Sequence, residues 1–122
     1  EKLMATSESP NETLVQYIQK SDFESLLEEK ELFVMDCTAT WCGPCKIVAP
    51  LMDKLAEEYK DRVKVVKLDV GDGENQSVAK KYGIRSIPAV MFFKNGDLSE
   101  TVVGVVSYEK FTTALNKILS PS

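Results

Sequence analysis

The chain has 122 residues, 43% of them hydrophobic, which is one domain's worth and enough to bury a core without permanent staples. A formal net charge of -4 with no basic cluster argues against nucleic acid or anionic membrane as the main partner. With no histidine, any catalytic proton transfer must run through carboxylate, thiol, lysine, tyrosine or water.

Residues Glu1 to Glu12 are polar and without periodicity; they read as a tail, with the part before Met4 a cloning remnant, and the folded domain is placed at 13–120. Leu14-Val15-Gln16-Tyr17-Ile18 reads as a short edge strand, and Ser21 with Glu24 has capping-box spacing for a helix carrying Phe23, Leu26 and Leu27. Leu32 to Thr38 is nearly continuous apolar sequence, as in a strand covered on both faces. The helix it feeds is expected from Cys42 to about Tyr59, kinked at Pro50. Val63 to Val70 reads as a third strand, Gly71-Asp72-Gly73 as a turn, and Asn75 to Tyr82 as a short helix stopped by Gly83. Ala89 to Phe93 is another buried strand. Asn95-Gly96 suits a tight hairpin into an antiparallel edge strand from Leu98 to about Val106. Ser107 is expected to cap a last helix that turns Phe111, Leu115, Ile118 and Leu119 inward and stops before Pro121. The pattern is α/β, a central mixed sheet between helices.

Chemistry concentrates in Trp41-Cys42-Gly43-Pro44-Cys45-Lys46, where a strand gives way to a helix. A sulfur at the start of that helix faces unpaired N–H groups and the positive end of the macrodipole, which favour thiolate over thiol. Cys42 is therefore the better nucleophile, and Cys45, one turn on, lies at about 5 Å between Cα atoms, within reach of a disulfide. Half a zinc site has the same spacing, but structural zinc usually takes four ligands. With Cys37 the only other thiol and no histidine, it would need an unusual mixture with carboxylates. A purely structural bridge over so short a loop would contribute only about 1.5 to 2 kcal/mol. An odd cysteine count with one close pair fits a compartment that keeps thiols reduced, where such a bridge would not stay closed. Reversible thiol–disulfide exchange is the favoured reading. The longest apolar stretches fall far short of the roughly 20 residues that span a bilayer, and none resembles a signal peptide. The expected location is the cytoplasm, with an organelle stroma after transit-peptide removal left open.

Five blocks in order carry a resemblance: Trp41 to Lys46, Pro50, Tyr82-Gly83-Ile84-Arg85-Ser86-Ile87-Pro88, Phe92-Phe93-Lys94-Asn95-Gly96, and Val103-Gly104. From about Val15 to Leu119 the chain resembles the thioredoxin family. The resemblance implies a thioredoxin fold, with about five strands in a mixed sheet flanked by four helices. It also implies a monomeric protein-disulfide reductase with neither bound cofactor nor metal. Cys42 would attack a client disulfide and Cys45 would resolve the mixed disulfide, and a thioredoxin reductase, NADPH- or ferredoxin-dependent, would restore the dithiol. Asp36, a carboxylate in an apolar run, matches the aspartate that the family buries behind the cysteines; burial would raise its pKa and let it exchange a proton with Cys45, with Lys67 nearby. The same resemblance implies a cis Ile87–Pro88 bond, with Pro88 against the disulfide and the Ile87 backbone pairing with an extended client. Trp41, Gly43, Pro44, Ile87 and Gly104 would form the apolar contact surface.

Four of these residues also have a plain structural reading: an exposed strand end for Asp36, a solvated strand residue for Lys67, core packing for Trp41 and a bulge for Gly104. Cys37 follows Asp36 on the strand, so it faces the other way. It reads as buried apolar filler, with a regulatory thiol as the alternative. Thr38 departs from the family, where many members carry tryptophan, and the segment Gly71 to Glu74 is slightly longer. A more oxidising disulfide isomerase and a binding subunit that uses the same surface to hold a partner are the rival functions, although Gly43-Pro44 between the cysteines resembles reducing members.

Overall fold

Side chains alternate along the central strands between two helix-covered faces. The computed structural model describes residues 14–120; the expected tail at 1–12 lies outside them. In chain order the elements are β1 (Gln16–Ile18), α1 (Lys20–Glu28), β2 (Phe33–Thr38), α2 (Gly43–Glu58), β3 (Lys64–Asp69), a 3-10 turn (Gly73–Asn75), α3 (Gln76–Lys81), β4 (Ala89–Lys94), β5 (Asp97–Val103) and α4 (Tyr108–Leu119). The sheet runs β1-β3-β2-β4-β5. β3 lies parallel to both β1 and β2, while β4 is antiparallel to β2 and β5. This is the thioredoxin fold expected from the sequence, five strands and four helices.

β2 is buried at all six positions, because both of its faces are covered. Val34 packs with Val48, Met52, Leu55, Phe92, Phe111 and Leu115 on the side of α2 and α4. Phe33, Met35 and Cys37 pack with Phe23, Leu68, Met91 and Phe93 on the side of α1 and α3. Asp36, which shares its face with Val34, therefore points toward α2. Among the described residues no helix is long and apolar enough to cross a membrane.

Several boundaries differ from the sequence reading, each for a physical reason. α1 starts ahead of the Ser21/Glu24 pair: Gln19 is the N-cap, and its N–H donates to Asp22 Oδ2 at 2.9 Å. Buried Asn75 fixes that start. Its Oδ1 accepts the Lys20 N–H at 2.9 Å, and its Nδ2 donates to Gln19 Oε1 and the Asp69 carbonyl, both at 3.1 Å. The longer Gly71 to Glu74 segment thus leads into a clasp between α1 and the end of β3. β1 is shorter than expected. α2 begins one residue after Cys42, with Pro50 lying inside it without dividing it. β5 ends at Val103 rather than near Val106, since Gly104 turns the chain at φ 94°. The hairpin forms as expected, with Asn95 at φ 57° and Gly96 at φ 83°. Ser107 is the N-cap of α4 but makes no side-chain capping bond. Phe111, Leu115 and Ile118 are buried as expected, and Leu119 is only partly so.

Candidate active site

β2 delivers the chain to α2 through Ala39 to Trp41, placing Cys42 at the N-cap and Cys45 in the first turn. The two are joined by a disulfide, their Cα atoms 5.4 Å apart. Cys42 is extended, at φ -95° and ψ 107°, so it is the cap rather than the first helical residue. Its sulfur accepts the Cys45 backbone N–H at 3.2 Å. That is one of the donors a helix start leaves unpaired, and together with the macrodipole it favours negative charge on Cys42 once the bond is reduced. Both sulfur-bearing residues are nearly covered, Cys42 at 5% and Cys45 at 2% exposure, yet Trp41, Gly43 and Pro44 around them are open to solvent.

Behind Cys45 lies a small cavity of about 110 Å³, lined among others by Tyr17, Asp36, Thr38, Cys45 and Lys67. Cys42 is not part of its wall. Asp36 Oδ1 is buried there without a hydrogen-bond partner among the described residues. Loss of hydration raises the Asp36 pKa from 3.8 to about 7; Lys67 pulls it down and Asp53 pushes it further up. Lys67 pairs with Asp36 in the β2–β3 register, but its ammonium sits 4.5 Å from the centre of the Tyr17 ring. Thr38, 8% exposed, helps to line the space beside the carboxylate.

On the other side of the disulfide, Ile87 packs against Ala39, Cys42 and Cys45. The Ile87–Pro88 bond is cis, Pro88 is buried, and its carbonyl accepts the Gly104 N–H at 2.8 Å, which ties the two loops of the expected contact surface together. Gly104 lies past β5; the one register irregularity of the β4–β5 pair is at Phe92/Phe93. Trp41 is not core: it is 74% exposed, with its indole Nε1 3.1 Å from where a Cβ on Gly71 would stand. Val103 and Val105, about half exposed, extend the apolar surface. Cys37 points into the opposite core, fully buried, where its sulfur meets Met91 Sδ at 3.5 Å. Burial, with Asp36 adjacent, pushes its thiol up to about 12. Among the described residues no three cysteine or carboxylate side chains gather as a metal site.

The structure therefore gathers Cys42, Cys45, Asp36 and Lys67 around one helix start, with Trp41, Gly43, Pro44, Ile87, Pro88 and Gly104 at its rim. The profile of the family described as Thioredoxin matches residues 14–117. This chain belongs to the thioredoxin family. Thioredoxins are thiol–disulfide oxidoreductases that reduce protein disulfides, and a cysteine pair at disulfide distance is what that chemistry requires. The chain is 44% identical over 108 residues to the M-type chloroplastic thioredoxin of Spinacia oleracea, covering 88% of this chain and 59% of that protein. It is 48% identical over 96 residues to thioredoxin 1 of Synechococcus elongatus, covering 79% of this chain and 88% of the relative. Among solved structures, mitochondrial thioredoxin 3 of Saccharomyces cerevisiae matches with TM-score 0.74 and 29% identity, over 84% of this chain and 94% of that one. Malassezia sympodialis thioredoxin matches with TM-score 0.75 and 35% identity, over 84% and 91%.

Tyr17, Gly71 and Asn75 were given no role in the site from the sequence. Tyr17 meets Lys67 only through strand pairing across fifty positions, and no local pattern marks such a partner.

Proposed function

We propose that this thioredoxin reduces client protein disulfides through Cys42 attack and Cys45 resolution, with Asp36 as the proton acceptor for the second step. The observation that carries the reading is the cavity that joins Cys45, and not Cys42, to a buried carboxylate. The Cys42 thiolate attacks one client sulfur, forming a Cys42–client bond and breaking the client's own; the departing sulfur takes a proton from water. Cys45 then gives its proton to Asp36 through water in the cavity, and its thiolate attacks Cys42 Sγ. The Cys42–Cys45 bond forms, the Cys42–client bond breaks, and the second client sulfur leaves and is protonated. Two electrons have passed from the dithiol to the client.

An extended client segment would lie along the Ile87 backbone, between Trp41, Gly43 and Pro44 on one side and Gly104 on the other, with Pro88 beneath. One chain carries the dithiol, the cavity and this surface, so the reading is of a monomer. A free Cys37 beside the joined pair fits a compartment that keeps thiols reduced, the cytoplasm or an organelle stroma. The partner that restores the dithiol is a thioredoxin reductase.

Insulin disulfide reduction, driven in parallel by an NADPH-dependent and a ferredoxin-dependent reductase, tests the activity and identifies the donor. Cys45→Ser is expected to accumulate a covalent adduct with insulin and Cys42→Ser to form none. Turnover by Cys42→Ser at the parent rate would defeat the proposal and favour the partner-holding role.

A further inference from the structure

Three side chains form a single row across three neighbouring strands. Tyr17 on β1 is in register with Lys67 on β3, and Lys67 with Asp36 on β2. Register partners on parallel strands share a face, and this row faces α2. All three line the same cavity, together with Cys45. Yet the middle member does not bridge the outer two symmetrically: the Lys67 ammonium stands over the Tyr17 ring at 4.5 Å from its centre. Asp36 Oδ1 is left with no hydrogen-bond partner among the described residues.

A lysine opposite a buried carboxylate with a free oxygen would ordinarily close on it, because the pair is attracted and the medium is poorly screening. The ring supplies a competing seat. Its negative face attracts an ammonium at this separation, and the apolar body of the tyrosine shelters the stem.

We infer that Tyr17 is a positioning residue: its ring holds Lys67 at the mouth of the cavity, out of direct contact with Asp36, and so keeps that carboxylate a ready acceptor for the Cys45 proton. The inference rests on the proposed role of Asp36. The groups facing Asp36 are Lys67 from β3, Tyr17 from β1, and Cys45, Lys46 and Asp53 from α2; its β4 register partner is apolar Val90. Of the cations, Lys67 is the one placed opposite the carboxylate in register. Removing the ring would release Lys67 toward Asp36 and would also open the cavity to water. Both changes favour the charged carboxylate, so its affinity for a proton falls.

The experiment follows the Asp36 carboxyl by carbon NMR from about pH 5 to about pH 9, alongside the pH profile of mixed-disulfide resolution in stopped flow. Tyr17→Leu is expected to lower both midpoints by about one unit, a tenfold loss of proton affinity, and Tyr17→Phe, which keeps the ring, to leave them in place. Lys67→Met is expected to raise the midpoint, and adding Tyr17→Leu to it to produce a clearly smaller fall than in the parent, the part that hydration alone supplies. Tyr17 is 56% exposed, so these variants are expected to fold, and their urea midpoints check that they do.

An unmoved midpoint in Tyr17→Leu, with resolution still sensitive to Asp36→Asn, would overturn the Tyr17 assignment alone. A fall of the same size in the Lys67→Met background would also overturn it, since hydration and not Lys67 would then be responsible. If Asp36→Asn left the resolution rate and its profile unchanged, the proton-acceptor reading itself would fail.

Discussion

Replacing Asp36 with asparagine should make the oxidised protein more stable, and by an amount that depends on pH. The carboxyl is 2% exposed, and burial raises its pKa from 3.8 to about 7. Below about pH 4 both folded and unfolded chains hold the proton, and the group adds no pH dependence. Between about 4 and 7 the unfolded chain releases its proton while the folded one retains it, so stability falls as pH rises through that window. Above about 7 the folded chain must carry a buried charge, and the loss levels off. At about 1.4 kcal/mol per pKa unit the full loss is about 4 kcal/mol. Asparagine keeps the shape and polarity of the neutral acid but never ionises. The advantage of Asp36→Asn over the parent should therefore grow from near zero at about pH 4 to about 4 kcal/mol at about pH 8. Urea unfolding of both oxidised proteins at a series of pH values measures it. A stability difference that stays constant across the range would refute the reasoning, because it would mean that Asp36 ionises as readily in the fold as outside it.

Cys37, buried against Met91 with its thiol pushed up to about 12, should resist alkylation in the reduced native protein. Iodoacetamide labelling read by mass spectrometry is expected to mark Cys42 first, and to reach Cys37 only in denaturant; native labelling of Cys37 would contradict its placement. Asn75→Ala removes three hydrogen bonds that tie Gln19, Lys20 and Asp69 together, and should destabilise the chain by about 2 to 3 kcal/mol in urea titration. Gly71→Ala would place a Cβ 3.1 Å from the Trp41 indole nitrogen. As Trp41 is the chain's one tryptophan, the resulting displacement should be visible as a changed emission spectrum, with a raised KM for insulin and little change in melting temperature. An unchanged spectrum would show that the indole does not rest on Gly71.

What could be read in the sequence was local. The cysteine pair at a strand–helix junction, the Asn95-Gly96 hairpin and the apolar run of β2 each announce themselves within a few residues, and the ordered blocks around them carried the family and the fold. The start of α1 was misread because Ser21/Glu24 and Gln19/Asp22 both have the i, i+3 spacing of a capping pair; a side chain more than fifty positions away, Asn75, decides between them. β5 was drawn too long because Val105 and Val106 continue its apolar character, while the positive φ of Gly104 ends the pairing. The cavity had no signature at all, since β1, β2, β3 and α2 each contribute part of its wall. Asp36 was visible as an anomaly of polarity; how Tyr17 and Lys67 stand beside it is a property of strand register.

The span from Cys42 to Cys45 is set by a single turn of α2, 5.4 Å between Cα atoms, and not by the docking of distant segments. Making or breaking that bond requires no distant segments to be brought together, since both cysteines already sit on one helix start. A donor and a client that must tell the charged carrier from the spent one are left to sense a change confined to the tip of one helix.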